Sequence, residues 1–216
     1  SYSYEDFIVG YRPTGNGFEL EYGPFYDFCK QAEKDDKPYF FIIDEVNRGN
    51  VSKIFGELLM LIENDKRKES LNLLYTKEEF SIPENVYIIG MMNTADRSLA
   101  IIDYALRRRF AFYDVKPAFN NNMFIEMAER KRNEKFGTLI SYVKSLNDEI
   151  REDDSLGSGF EVGHSYFCIS DDTQIDSSWI KSVVEYELIP LINEYWFDDK
   201  EKLDEWSVKL RGVEND

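Results

Sequence analysis

Residues 39–45 read YFFIIDE. The first five residues are apolar without a break, and two carboxylates, Asp44 and Glu45, follow at once. A short continuous apolar run is typical of a strand that is buried on both faces of a parallel sheet. Open α/β sheets bind their ligands beyond the carboxyl ends of such strands. The segment therefore predicts an α/β fold with a functional site at the end of this strand.

A second apolar run lies about fifty residues further on. Residues 86–92 read VYIIGMM and end in polar residues that begin with Asn93, which predicts a second buried strand. Between the two runs, residues 51–62 carry apolar side chains at helical spacing, and residues 71–82 predict a hairpin. Residues 99–108 predict another helix, and residues 110–115 predict a strand.

The rest of the chain separates into two parts. Before the first run, residues 18–22 predict a strand and residues 25–34 a short helix. After Lys116-Pro117 the pattern is mostly helical, with helices expected at 122–132, 136–151 and 179–197 and a glycine-rich connector at 155–166. We therefore expect an α/β core at residues 1–116 and a helical domain at residues 117–216.

The charge, hydropathy and cysteine content of the chain argue against several classes of function. The 216 residues include 26 Lys and Arg and 42 Asp and Glu, a formal net charge of −16, which argues against broad nucleic-acid binding. No apolar run approaches the length of a membrane-spanning helix, so no membrane partner is expected. The two cysteines lie far apart and His164 is the single histidine, which disfavours a zinc site or a disulfide framework and favours a cytoplasmic location.

The polar residues at the two strand ends suit nucleotide hydrolysis. Phosphoryl transfer needs a metal that bridges phosphate oxygens, a group that orients water, and cations for the transition state. Asp44 is the candidate on the metal side, Glu45 the candidate that activates water, and Asn93 a hydrogen-bonding partner of the water or the terminal phosphate. Because neighbouring residues of an extended segment point to opposite sides, the two acids would serve different atoms.

Each of these features also has a purely structural explanation. Asp44-Glu45 alone would be an exposed turn, and residues 93–96 an Asx turn that caps the next helix. The three arginines at 107–109 would interact favourably with a helix dipole. His164, as a lone histidine, is more often a packed and hydrogen-bonded residue than a ligand.

Three strings in order resemble one family. Residues 40–50 (FFIIDEVNRGN), 91–98 (MMNTADRS) and 103–110 (DYALRRRF) resemble the McrB branch of AAA+ NTPases, the GTP-driven motor subunits of modification-dependent (5-methylcytosine) restriction systems. Residues 1–7 (SYSYEDF) and 163–167 (GHSYF) also resemble that branch, so the similarity touches most of the chain.

The resemblance implies a role for each motif. Asp44 and Glu45 correspond to the Walker B acids, with Asp44 reaching Mg²⁺ through water or through the hydroxyl of a phosphate loop. Asn93 occupies the sensor 1 position, and Asp96 belongs to the same signature. Mg²⁺ and GTP or ATP are the implied cofactor and substrate, and the choice of base stays open.

The resemblance also implies contacts between subunits. Arg107, Arg108 and Arg109 match the region that supplies arginine fingers to a neighbouring subunit, and we favour Arg108 and Arg109. Arg48 would either contact the adjacent protomer or form a local salt bridge. The parent protein is expected to form a ring, a hexamer in this family, and to stimulate a McrC-like endonuclease, with DNA bound only through a domain absent from this chain.

One family motif is missing. The phosphate loop, Gly-x-x-x-x-Gly-Lys followed by Ser or Thr, does not occur. Residues 10–17 (GYRPTGNG) have the glycine spacing, yet Asn16-Gly17 replaces the lysine and hydroxyl, so we interpret them as a turn-rich loop. In the family this loop lies upstream of the segment that begins at Ser1. We therefore expect a truncated AAA+ core followed by a helical lid, and an isolated chain that is inactive.

Two alternatives remain open. A related AAA+ ATPase of the MoxR or dynein-related type would act in remodelling instead of restriction. A non-catalytic assembly module would keep the fold as a platform for oligomerisation, and the missing phosphate loop is its main support. The joint presence of Asp44, Glu45, Asn93 and the arginines argues against this second alternative.

Overall fold

The computed structural model describes residues 2–93, 95 and 104–213. The chain divides into two compact units, residues 1–113 and residues 114–216. We describe each unit by itself.

The first unit begins with a short helix and a hairpin. Helix α1 (Tyr4–Phe7) is followed by the antiparallel strands β1 (Val9–Thr14) and β2 (Gly17–Tyr22) and by helix α2 (Pro24–Ala32). Strand β2 and helix α2 confirm the predictions for residues 18–34. Helix α2 begins at a proline, which suits the first turn of a helix because the N–H that proline lacks has no helical acceptor there.

The stretch at residues 10–17, which we interpreted as a turn-rich loop, is more regular than that interpretation. Most of it forms β1, and Gly15-Asn16 turns the chain into β2. Gly17 has φ = 140°, a conformation that other residues rarely adopt. The glycines of this stretch therefore serve a hairpin and do not form a phosphate loop.

A parallel pair of strands forms the centre of the first unit. Strand β3 (Tyr39–Ile43) precedes the small antiparallel hairpin of β4 (Leu71–Asn72) and β5 (Glu79–Phe80), and β6 (Val86–Gly90) pairs with β3 in parallel. The register runs from Tyr39 opposite Val86 to Ile43 opposite Gly90. The predicted strands, their parallel pairing and the 71–82 hairpin are confirmed.

The prediction that both strands are buried on both faces is wrong. Tyr39, Phe41, Ile43 and Ile88 pack on the core formed with α2 and neighbouring segments. On the other face Phe40 stacks on Tyr87, and these two side chains, Ile42 and Ile89 are exposed. Within the described residues, other segments pack on only one face of this strand pair. A continuous apolar run therefore did not predict which side chains are buried.

The helix predicted over residues 51–62 is interrupted. Helix α3 (Val51–Phe55) ends at Gly56, which has φ = 53° and ψ = −130°, and a 3₁₀ segment (Gly56–Ile62) follows. A Cβ at Gly56 would lie 2.9 Å from the ring of Tyr4, so the close approach of α1 excludes larger residues at this break. The expected apolar face is kept, because Leu58, Leu61 and Ile62 are buried.

The end of the first unit departs further from expectation. Helix α4 (Tyr104–Arg107) covers the described part of the predicted helix, and residues 99–103 lie outside the described residues. The strand predicted at 110–115 is wrong, since these residues form no regular element. The alternating pattern had suggested a ladder, but no described strand pairs with this segment.

The second unit is helical and encloses its own core. Its helices are α5 (Asn122–Arg130), α6 (Glu134–Glu152), α7 (Ser177–Val183), α8 (Ile189–Tyr195) and α9 (Lys200–Gly212). A π-helical turn (Val184–Leu188) joins α7 to α8 ahead of Pro190. The three predicted helices are confirmed, whereas α9 was missed despite Trp206 and Leu210, which are buried at helical spacing.

The core of the second unit surrounds α6. This helix buries Phe136, Leu139, Val143, Leu146 and Ile150, which lie along one face of the helix. Among the described residues, every helix is too short or too polar to cross a membrane.

Candidate functional site

The candidate site lies at the carboxyl edge of β3 and β6. Past the strands, the Met91 amide donates to the Ile43 carbonyl and the Val46 amide donates to the Met91 carbonyl, both at 2.9 Å. A Cβ at Gly90 would lie 3.2 Å from Cγ1 of Val46, so glycine permits this close approach. The structure thereby brings the Asp44-Glu45 turn and the segment that leads to Asn93 together.

Asp44 presents an exposed carboxylate at this edge. Its Oδ1 accepts a hydrogen bond of 2.9 Å from the Glu45 amide. In the described residues no cluster of three or more His, Cys, Asp or Glu side chains could hold a metal by itself. One carboxylate still fits Mg²⁺ in a nucleotide site, because Mg²⁺ keeps several waters and takes further ligands from phosphate oxygens.

Glu45 differs from the extended geometry that we expected. It has φ = 50° and ψ = 45°, a left-handed conformation, and it precedes the 3₁₀ turn at Val46–Arg48. The two acids therefore do not alternate as on a strand. A non-glycine residue in this region stores strain that the surrounding structure must hold, and such residues cluster at functional sites.

Arg48 forms an ion pair with Glu45 at 3.0 Å. Both side chains are about half exposed, so water screens the pair and its contribution to stability is small. The local salt bridge expected as one of the two possibilities for Arg48 is present. It places a cation directly on the carboxylate that we had selected to activate water.

Asn93 is held by one local hydrogen bond and by one hydrogen bond from a distant residue. Its Oδ1 accepts from the Ala95 amide at 3.1 Å, the Asx turn that its sequence suggested. Its carbonyl accepts from Nδ2 of Asn47 at 3.4 Å. Since the Oδ1 atom is held by Ala95, the Nδ2 group of Asn93 is the part of the amide suited to donate to a ligand. Asp96 lies outside the described residues.

The arginines follow α4 and differ in exposure. Arg107 and Arg108 are exposed, and the guanidinium of Arg108 lies 5.8 Å from the ring centre of Tyr104. The Arg109 side chain is only 12% exposed and forms an ion pair of 2.6 Å with Glu63. The described contacts thus bring Arg109 to the end of the 3₁₀ segment and do not join it to Asp44, Glu45 or Asn93.

His164 belongs to the packing of the second unit. Its Nδ1 accepts a hydrogen bond of 3.0 Å from the Ala118 amide, and its ring lies edge-on to Phe119 and Phe124. Because Nδ1 is an acceptor, the neutral ring carries its proton on Nε2. The histidine is a packed, hydrogen-bonded residue, as its isolation in the sequence suggested.

Two residues of this region were absent from our candidate set. Glu63 carries no sequence signal, since its pairing with Arg109 joins positions 46 residues apart. Asn47 had a signal, because it stands two residues after Glu45 in the family string, but its side-chain contact with the Asn93 segment required the structure.

Comparison with known proteins defines the class. Residues 1–110 match the family model described as AAA domain (dynein-related subfamily), which covers half of the chain, so the chain belongs to the AAA family. Residues 138–204 match the model described as McrB, alpha-helical lid domain. The chain is therefore an AAA protein of the McrB type, an α/β AAA core followed by a helical lid, as the resemblance implied.

Two curated relatives are similar over different lengths. The chain is 52% identical, over 98% of its residues, to the type IV methyl-directed restriction enzyme EcoKMcrB subunit of Escherichia coli (strain K12), of which it covers 49%. It is 31% identical, over 50% of its residues, to the type II restriction enzyme BsuMI component YdiS of Bacillus subtilis (strain 168), of which it covers 38%. The chain thus spans about half or less of these relatives.

Proposed function

We propose that the protein carrying this chain is an AAA+ NTPase motor that hydrolyses GTP and drives a McrC-like endonuclease in modification-dependent DNA restriction. The observation that carries the proposal is the junction of the Asp44-Glu45 turn with the Asn93 segment at the ends of two adjacent parallel strands. Membership of the AAA family and the 52% identity to a methyl-directed restriction subunit support it.

Each residue at this edge has a distinct task. Asp44 would hold Mg²⁺ through water, and the metal would neutralise charge on the phosphate oxygens. Glu45 accepts the proton of the attacking water, and Asn93 donates from Nδ2 to that water or to the terminal phosphate. Asp96 is proposed to act in the same loop as Asn93.

The ion pair between Glu45 and Arg48 implies a resting arrangement. The guanidinium of Arg48 lies 3.0 Å from the carboxylate of Glu45, so this ion pair has to open before that carboxylate can take a proton from water. We propose that Arg48 turns toward an adjacent subunit in the ring and thereby releases Glu45 for catalysis.

Cations for the transition state come from the arginine cluster. Arg107 and Arg108 are exposed, as a side chain that acts in a neighbouring subunit has to be, which supports a role in trans. Arg109 can act in trans only after its ion pair with Glu63 opens. A ring, proposed as a hexamer, gives each arginine a nucleotide in the next subunit.

The lack of a phosphate loop in the sequence limits the isolated chain. Backbone amides and a lysine normally hold the β and γ phosphates, so we propose that this chain alone turns over no nucleotide. DNA recognition is assigned to a domain outside this chain, since a net charge of −16 disfavours binding to phosphate backbones. Along the sequence, we propose that the AAA core comprises residues 1–116 and the lid residues 117–216.

A second candidate is an ATP-driven remodelling motor. The match of residues 1–110 to the AAA domain model favours it, because the description of that model names the dynein-related subfamily and not restriction. Neither the Walker B acids nor the sensor asparagine contacts the base in the proposed mechanism, so they do not select GTP over ATP.

The decisive experiment compares GTP and ATP hydrolysis with Mg²⁺ by the protein extended upstream until it includes a phosphate loop. Glu45→Gln removes the proposed base, and Glu19→Gln, an exposed site on the hairpin, is the matched control. Turnover of GTP alone, lost only in Glu45→Gln, supports the restriction motor. Preference for ATP would support the remodelling motor. No turnover of either nucleotide, with or without a nuclease partner, would support the non-catalytic assembly module.

A further inference from the structure

The side-chain amide of Asn47 has a donor group with a hydrogen-bond partner and an acceptor atom without one in the described part of the chain. Its Nδ2 donates to the carbonyl of Asn93 at 3.4 Å. Its Oδ1 is buried and accepts no hydrogen bond from the described part of the chain. A buried acceptor without a donor is destabilising, so its retention calls for an explanation.

The position of Asn47 gives that explanation. Backbone hydrogen bonds join the two segments as far as Val46 and Met91. Asn93 lies two residues after Met91. The side-chain amide of Asn47 donates to its carbonyl and so extends the contact between the two segments. Asn47 also lies two residues after Glu45, inside the 3₁₀ turn that the left-handed Glu45 begins. One side chain therefore connects the turn of the proposed base to the segment of the proposed sensor.

We propose that Asn47 is a positioning residue for nucleotide hydrolysis. Its Nδ2 fixes the distance between the Asn93 segment and the Glu45 turn, and its open Oδ1 receives an O–H or N–H donor when the nucleotide site fills. The inference rests on the proposed NTPase function. Asn47 acts through Asn93 and Glu45, so its loss affects the rate of the chemical step more than the affinity for nucleotide.

The test uses the full-length protein with its phosphate loop. Asn47→Ala removes both halves of the amide, and Asn47→Asp keeps the shape while replacing the donor by a second acceptor that repels the Asn93 carbonyl. Asn72→Ala, at an exposed strand position, is the matched control. The readouts are kcat and KM for GTP and ATP, the Kd of a fluorescent nucleotide analogue, and the melting temperature.

We expect kcat to fall about 10- to 100-fold in both Asn47 variants, because misplacement by about 1 Å has effects of this size. The Kd should change by less than threefold, on the order of 0.6 kcal/mol. Unchanged kcat in both variants, while Glu45→Gln abolishes turnover, would overturn the role of Asn47 alone. A joint loss of kcat, affinity and melting temperature would assign Asn47 a merely structural role. Full turnover in Glu45→Gln would instead overturn the proposed function.

Discussion

The carboxylates of the candidate site and those that hold the second unit together have opposite surroundings. In the second unit Asp153 accepts from the Trp196 indole at 3.0 Å and from the Lys202 ammonium at 2.9 Å, and Glu149 accepts from the Trp206 indole at 2.8 Å. In the first unit Asp44 is exposed and accepts from the neighbouring Glu45 amide, whereas Glu45 has an exposed ion pair. Carboxylates that stabilise a fold are partly buried and multiply bonded, and those at the candidate site remain accessible.

The same contrast holds for apolar side chains. The second unit surrounds α6 with a core, whereas the described part of the first unit leaves Phe40, Ile42, Tyr87 and Ile89 exposed on one face of its sheet. Substitutions inside the second unit should therefore change stability, and substitutions on the open sheet face should change it little.

The largest effect is expected at Asn147. This buried side chain bonds both backbone groups of Val162, donating at 2.9 Å and accepting at 2.6 Å. Asn147→Ala leaves a buried N–H and a buried carbonyl without partners, which should lower the free energy of unfolding by about 2–5 kcal/mol. Urea unfolding followed by tryptophan fluorescence measures it, since Trp179, Trp196 and Trp206 all lie in the second unit.

The matched control for this measurement is Asn193→Ala, at an exposed position of α8. It should leave the free energy of unfolding within about 0.5 kcal/mol of the unmodified chain. Equal values for Asn147→Ala and Asn193→Ala would contradict the view that the Val162 contact holds the connector to α6.

A smaller, pH-dependent effect is expected at Asp153. Hydrogen bonds from the Ser155 hydroxyl, Lys202 and Trp196 hold the pKa of Asp153 well below its usual value. A carboxyl with a lowered pKa in the folded state stabilises the fold above its unfolded pKa of about 3.9, and this stabilisation disappears as the pH falls through the folded pKa. Asp153→Asn should therefore cost about 1–3 kcal/mol at neutral pH.

The difference between the unmodified chain and Asp153→Asn should narrow as the pH falls below about 4. Thermal melts over a series of pH values test this, with Asp154→Asn, an exposed neighbour, as the control. A difference that stays constant down to the acid limit would show that the ionised form of Asp153 is not what stabilises the second unit.

The smallest effect is expected on the open sheet face. Ile42 is 59% exposed, so Ile42→Thr should change the free energy of unfolding of the 216-residue chain by less than about 0.5 kcal/mol. Val86→Thr, at a buried position of the paired strand, buries a hydroxyl and should cost about 1–3 kcal/mol. Far-ultraviolet circular dichroism during heating measures both, and comparable losses would mean that the two faces are equally covered.

Much of the fold follows from local patterns. The apolar runs at 39–43 and 86–90, the hairpin at 71–82 and helices α2, α5 and α6 were predictable because their periodicity is set by neighbouring residues. Helix α9 was missed because charged residues outnumber its apolar ones. The strand expected at 110–115 failed because a strand also needs a partner, which lies elsewhere in the sequence.

The sequence predicted which residues form the candidate site, but it did not predict their conformations or contacts. The strand ends placed Asp44, Glu45 and Asn93 at one edge, because parallel strands share the side on which they end. The left-handed conformation of Glu45, its pairing with Arg48 and the contact of Asn47 with Asn93 depend on packing between distant segments.

The sequence by itself determined the α/β and helical parts, the strand ends that carry the polar residues, and the family resemblance. These features can be predicted from hydrophobic periodicity and from the order of motifs, because both depend on residues that are close together in the chain. Tertiary structure alone decided that one sheet face is open within the described residues, that Gly56 ends α3 beside Tyr4, and that Arg109 pairs with Glu63. Each of these depends on which distant atoms come within a few ångströms, and the order of residues along a chain does not record those distances.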